Sequence, residues 1–240
     1  MIDINDQNDK PNETLASTAF LKLRNEIIAG AVDPDSKLLI RPLAERYGMG
    51  LSPIREALSR LAVEGWLRQT DQRGFTVTPL SLEDLRDLTA TRCLLNESAL
   101  AASIAQGDTL WEESVVLARH RLLRTPRQTN EAAGIRSPQW ENAHKAFHAS
   151  LISACGSQRI CAQDAQLFDA FERYRIIARV AVAHGRSDTD EHDAIADAVL
   201  KRDAKQAVTL LNSHIRLTEM LVREALWHAG PPAEVSGLRA

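Results

Sequence analysis

Gly50-Leu51-Ser52-Pro53-Ile54-Arg55-Glu56-Ala57-Leu58-Ser59-Arg60-Leu61 decides how the chain is read. Ile54, Ala57, Leu58 and Leu61 recur at helical spacing and predict one buried stripe. Ser52 is placed as a helix N-cap and Pro53 as the first helical residue, where a missing N–H is harmless. The stripe leaves Arg55, Ser59 and Arg60 facing outward. A short helix from Arg41 to Tyr47, stopped at Gly48, precedes this one, and Gly65 closes it. Farther upstream, Ala19, Leu23, Ile27 and Ile28 share a face of a helix from Thr18 to Ala29, ended by Gly30. Asp33-Pro34-Asp35-Ser36 is a turn, and Leu38 to Ile40 a short strand. Downstream, Trp66 to Thr78 holds Asp71-Gln72-Arg73-Gly74 between two alternating runs, which predicts a hairpin with Phe75 and Val77 on one face.

Three helices and a hairpin in this order predict a winged helix-turn-helix. The second helix of such a motif lies in the major groove, with its first turn against the base edges. Arg55 sits in that turn, and arginine can read guanine in a bidentate way. Ser52, Ser59 and Arg60 would reach phosphates or bases, and Arg41 and Arg73 flank them. A solvated helical face shows the same spacing, so spacing alone leaves DNA binding open.

Pro79-Leu80-Ser81 reads as a linker. Beyond it the pattern is helical throughout, without a strand signal. Ser81-Leu82-Glu83-Asp84 resembles a capping box and opens a helix to about Ala105. Gly107-Asp108 breaks it, and a second helix runs to Arg124. Thr125 to Arg136 is a loop. Ser137-Pro138 opens a third helix, ended at Gly156, and Ser157 a fourth, to about Ala183. After a break at His184-Gly185-Arg186, a fifth runs from Ser187 to Lys201, and a sixth from Asp203 to His228. The expected fold is mainly α: a winged helix-turn-helix over 14–80, then an all-α antiparallel bundle of about six helices over 81–229. Residues 1–13 read as a disordered tail and 230–240 as a flexible one.

Composition agrees with a globular chain: 240 residues, 44% hydrophobic, 25% charged, net charge -3. That excludes wholesale disorder. The charge is uneven, with -3 in residues 1–13, +2 in 14–80 and -2 in the remainder. The helix-turn-helix stretch is thus the net-basic part, by a small excess. No stretch approaches the roughly 20 apolar residues of a membrane span. The start, MIDINDQNDKPNE, lacks the basic and apolar segments of a secretory signal, so the expected location is cytoplasmic. Cys93, Cys155 and Cys161 fit reduced thiols, with a redox pair of Cys155 and Cys161 as an alternative to inert burial.

The helical part concentrates histidine. His144 and His148 are four residues apart and project together, on a face shared with Leu151 and Cys155. His192 shares its face with Ile195, Ala196 and Val199, and His214 with Ala207, Leu211 and Leu221. Four of the seven histidines thus point into one bundle from three helices. Neutral imidazoles ligate zinc and similar ions, and bundle cores host such sites. Satisfied core histidines are the alternative. Arg92 lies on an apolar stripe with Leu85, Leu88, Leu95 and Ala99. A guanidinium there either pairs with an internal acid or holds a carboxylate ligand bidentate. Arg175 is a second candidate for that work. No GxGxxG, Walker loop, HExxH or GxSxG elbow is present.

These residues resemble a known family. Gly30 to Leu38, Leu43-Ala44-Glu45-Arg46-Tyr47-Gly48, Ser52-Pro53-Ile54-Arg55-Glu56-Ala57-Leu58, Glu64-Gly65-Trp66-Leu67 and Arg73-Gly74-Phe75 are similar to the DNA-binding domain of GntR-family transcription regulators. His144 to Leu151, Glu191-His192-Asp193-Ala194-Ile195 and His214-Ile215, with Arg92, resemble the FCD effector domain of the FadR branch. Glu97-Ser98-Ala99-Leu100, Gly107-Asp108, Trp111-Glu112 and Cys155-Gly156-Ser157 resemble the group containing glutarate-responsive repressors. The resemblance implies a homodimeric repressor on a palindromic double-stranded operator, released by a small carboxylic acid, and not an enzyme. It implies a divalent metal, zinc or nickel, on His144, His148, His192 and His214, with Arg92 toward the effector carboxylate. DNA contacts carry over to Arg41, Arg55 and the wing at Arg73 and Gly74.

The sequence departs from the family pattern twice. His144 stands where the family often has aspartate, which leaves the ion more positive and favours an anionic ligand. Gly50-Leu51-Ser52 stands where many members have Ser-Arg-Thr, so one arginine of the reading helix is missing. Two rival readings are a metal-dependent hydrolase with a histidine-ligated zinc, and a constitutive dimeric DNA-binding protein without an effector.

Overall fold

The computed structural model describes residues 14–70, 74–130, 135–178 and 188–228. The two tails, Arg73 and the break at residues 184–186 lie outside these. The chain divides into two compact units, residues 1–79 and 80–240.

In the first unit, α1 (Leu15–Ile28), α2 (Ile40–Tyr47) and α3 (Leu51–Val63) accompany a three-stranded antiparallel sheet. Its strands are β1 (Lys37–Leu38), β2 (Leu67–Thr70) and β3 (Gly74–Val77), with β3 in the middle. Leu38 pairs with Phe75 and Leu67 with Val77. All four are buried, so the sheet closes one side of the small core. Ala19, Leu23 and Ile27 of α1 and Ile54, Ala57, Leu58 and Leu61 of α3 fill the rest. Gly48 ends α2 with φ 64°, the left-handed conformation that glycine adopts without a Cβ clash.

The start of α3 corrects one expectation. The helix begins at Leu51, and Gly50 is its N-cap without a side-chain hydrogen bond. Ser52 therefore lies inside the first turn rather than capping it. Pro53 tolerates its place because the first turn's N–H groups have no helical partner in any case.

The second unit is helical: α4 (Leu82–Gln106), α5 (Thr109–Arg124), α6 (Pro138–Ile152), α7 (Gln158–Ile177), α8 (Asp188–Leu200) and α9 (Ala204–Arg223), the last running into a π turn at Glu224–His228. Side-chain caps start five of them: Ser81, Asp108, Ser137, Ser157 and Asp203 each accept a backbone N–H. The six-helix reading thus holds among the described residues. The segment read as a loop contains two short paired strands, β4 (Gln128–Asn130) and β5 (Ile135–Arg136). They are too short for an alternating pattern to register.

α4 packs on α7 and α9, α5 on α6 and α8, and α8 on α9. Phe147, Leu151, Leu85, Leu100, Ile195 and Leu211 are fully buried between them. Arg202, at φ 56°, donates to the carbonyls of Ile104 and Gly107 at 2.7 Å each and to Glu112. One side chain thereby satisfies carbonyls at the end of α4 and ties them to the α8–α9 turn. No helix among the described residues is long and apolar enough to cross a membrane.

Candidate functional site

The first candidate site is the outer face of α3. Ser52 is exposed on its first turn and Arg55 at the start of its second, and Arg41 at the start of α2 and Gly74 at the start of β3 are exposed too. Gly74 has φ 84°, so the wing needs glycine there. Ser59 is half-buried. Arg60 is exposed but engaged: it donates to Ser17 Oγ at 3.2 Å, and its guanidinium lies 4.4 Å from the Phe20 ring centroid. Its head leans on α1. Arg73 is outside the described residues.

The second site lies in the bundle. His144 and His148 from α6, His192 from α8 and His214 from α9 are all buried. Each offers one ring nitrogen, and the four lie within 4.8 Å of one another. His144 Nε2 and His148 Nε2 are 3.1 Å apart. The ring centroids of His144 and His148, and of His192 and His214, are both 4.6 Å apart. Two nitrogens about 2.0–2.1 Å from one tetrahedral ion are themselves about 3.4 Å apart. The set therefore fits a divalent metal with small adjustments.

Burial holds the His148 imidazole well below its usual range, and His214 and His192 push it the same way. Burial thereby favours the neutral ring, the form that can ligate a metal. The Glu191 carboxylate bonds His214 Nδ1 at 2.7 Å. His144 stacks on Trp140, ring centroids 4.8 Å apart, and its Nδ1 lies 3.9 Å from Glu172. Such outer contacts fix ring orientation and tautomer.

Beside this cluster lies a small pocket, open in part to solvent. Arg92, Arg127, Trp140, Phe168, Arg175 and Thr218 help to line it. Arg92 is 3% exposed, and its Nε has no hydrogen-bond partner. Its guanidinium lies over Phe171 at 4.7 Å and Phe168 at 5.1 Å. Burial works against its charge, while Asp164 and Glu172 support it. Asp164 is itself buried and accepts from Asn96 at 3.0 Å. Arg92 is therefore a sequestered cation with hydrogen-bonding capacity to spare.

Arg175 differs. It is buried too, but its Nε donates to both Glu172 oxygens, at 2.8 and 2.9 Å, and its outer nitrogen pairs with Glu141 and Glu172. Two carboxylates already claim it. Sequence reasoning did not single out Glu141, Glu172 or Trp140. Glu172 stands three residues before Arg175 and Glu141 three before His144, so helical spacing could have found both.

Comparison with known proteins bears on both units. Residues 15–77 match the family described as bacterial regulatory proteins, gntR family, and residues 87–217 match the FCD domain. The chain is 38% identical over 211 residues to the uncharacterized HTH-type transcriptional regulator BphR of Paraburkholderia xenovorans (strain LB400), covering 88% of this chain and 86% of that protein. It is 31% identical over 208 residues to the HTH-type transcriptional repressor GlaR of Escherichia coli (strain K12), covering 85% and 94%. Among solved structures, E. coli McbR/YncC superposes with a TM-score of 0.72 at 19% identity, covering 88% of this chain and 98% of that one. A putative GntR regulator from Rhodococcus sp. RHA1 gives 0.69 at 20%, covering 86% and 96%. These two likenesses show the fold alone.

Proposed function

The chain belongs to the gntR family of bacterial regulatory proteins, in the branch with an FCD domain, and from that premise we propose that it is a metal-assisted, acid-responsive repressor. It is a DNA-binding transcriptional regulator, not an enzyme. The repressor sense is suggested by the name of the E. coli relative. The observation that supports an acid sensor is the juxtaposition of four buried histidines with a buried, under-bonded Arg92 on one cavity.

In this reading His144, His148, His192 and His214 hold a divalent ion, zinc or nickel. The ion supplies fixed positive charge in the cavity wall. Arg92 donates to a carboxylate of the effector, an interaction strengthened by exclusion of water. Phe168, Phe171 and Trp140 give the cavity apolar walls for the carbon chain. Arg175 acts mainly by holding Glu172, which in turn steadies His144. On the DNA side, Arg55 reads a base, while Ser52, Ser59, Arg41 and the wing at Arg73 and Gly74 fix the register on phosphates. Arg60 joins them only by leaving Ser17. The boundaries are 14–80 for the DNA-binding domain and 81–229 for the effector domain, in a cytoplasmic homodimer. Leu94, Leu110, Val116 and Leu117 are exposed apolar side chains of the second unit and suit a subunit contact. The effector releases DNA only if it binds the two states with different affinity.

Thermal melting against a panel of mono- and dicarboxylic acids, with metal and after chelation, tests this. Glutarate belongs in the panel because of the resemblance around Glu97 to Leu100. A ligand at about 100 times its Kd adds about 2.7 kcal/mol, which a melting curve resolves. The expected result is an acid that stabilises the metal-loaded protein, fails after chelation, and weakens DNA binding. Melting curves that neither metal nor any acid moves would favour the constitutive alternative.

A further inference from the structure

We propose that Cys155 and Cys161 form a reversible dithiol–disulfide site, oxidised by low-molecular-weight disulfides, at the corner between α6 and α7. The two Sγ atoms are 3.7 Å apart. Both side chains face this corner: Cys155 Sγ lies 3.6 Å from the Ser157 carbonyl oxygen, and Cys161 Sγ 3.7 Å from that of Ile152. The pair is asymmetric in access. Cys155 is 7% exposed, whereas Cys161 is half-buried and lines a small second pocket, open in part to solvent, with Lys145, Asp164 and Phe168. A disulfide requires about 2.05 Å between sulfurs, so the gap closes by about 1.7 Å. Gly156, at φ 75°, lies between them in a turn, where side-chain rotation and a small backbone shift suffice.

Access assigns the order of events. The Cys161 thiolate attacks one sulfur of the external disulfide, forms a mixed disulfide and expels one thiolate. The Cys155 thiolate then attacks the Cys161 sulfur and expels the second. Two protein thiols and one external disulfide become one protein disulfide and two external thiols. Burial pushes the Cys161 thiol up, so exchange is faster under mildly alkaline conditions. The corner joins the helix that bears His144 and His148 to the helix that bears Glu172 and Arg175, so the cross-link stiffens two walls of the cavity. Cys93, 3% exposed on α4, is an internal control.

The test uses the full-length folded protein, oxidised glutathione at mildly alkaline pH, and intact-mass and thiol-labelling readouts after quenching. Two of the three thiols should disappear, with Cys93 retained, and dithiothreitol should restore both. The mass should fall by about 2 Da, and a peptide linking Cys155 to Cys161 should appear. Cys155→Ser should stop at the glutathionyl adduct on Cys161, and Cys161→Ser should lose no mass. Three labelled thiols after oxidation of the folded protein would overturn the proposal. So would a bond to Cys93 or a link between two chains.

Discussion

The Glu191 carboxylate on α8 lies 2.7 Å from Nδ1 of His214 on α9. With Nδ1 engaged, His214 has only Nε2 left for the three other imidazoles. Carboxylates in this position orient a ligand ring and raise its basicity, and losing them lowers metal affinity about 10–100-fold. Glu191→Ala should show that loss in a nickel titration by calorimetry, with an unchanged circular dichroism spectrum. Unchanged affinity would mean that His214 is not a ligand through this ring face.

Arg92 and Arg175 are both buried, yet their replacement should differ in magnitude. Arg175→Ala strands Glu172 and Glu141, and breaking a buried pair in this way destabilises by about 3–5 kcal/mol. Arg92→Met removes a desolvated cation whose Nε has no partner, a gain that offsets the lost support of buried Asp164, so the ligand-free protein should lose far less stability than with Arg175→Ala. The same variant should lose stabilisation by any carboxylic acid that stabilises the wild type. Urea unfolding and thermal melts measure both. A large loss of stability in Arg92→Met would make Arg92 a structural ion-pair member.

The two outward arginines of α3 should separate in a DNA-binding assay. Arg55 is exposed near the start of the helix, whereas Arg60 bonds Ser17 and covers Phe20. On an operator selected from random sequence, Arg55→Ala should weaken binding and relax one base position, at about 1–3 kcal/mol of discrimination. Arg60→Ala should chiefly lower the melting temperature and leave the base preference in place. Fluorescence anisotropy across a salt series distinguishes them, because a lost phosphate contact flattens the salt slope.

Gly107 tests the packing beneath the α4–α5 corner. A Cβ there would overlap the Trp111 ring and lie 2.7 Å from the Ser103 carbonyl oxygen. The ring cannot easily withdraw, because Trp111 Nε1 donates to the Ser150 carbonyl at 3.0 Å. Gly107→Ala should therefore destabilise by about 1–3 kcal/mol, measured by the denaturation midpoint.

Much of the fold was legible because it rests on local rules. The stripe Ile54, Ala57, Leu58 and Leu61 is buried as its spacing required. Ser81, Asp108, Ser137 and Ser157 cap helices where short polar side chains precede apolar periodicity. Ser52 misled because Ser-Pro imitates a cap, while the true cap, Gly50, lies two residues earlier and the helix starts at Leu51. The β4–β5 pair escaped because such short strands have no readable period.

By itself the sequence determined that four histidines and Arg92 occupy apolar helical faces, since burial follows the periodicity of each helix separately. Only the tertiary structure decided that imidazoles from α6, α8 and α9 converge within 4.8 Å. It also decided that Arg175 is claimed by Glu141 and Glu172 while Arg92 keeps an unsatisfied Nε. Helical period fixes which face a residue occupies. Distances across helices depend on how side chains of unlike size pack, and that information is spread over every helix of the bundle.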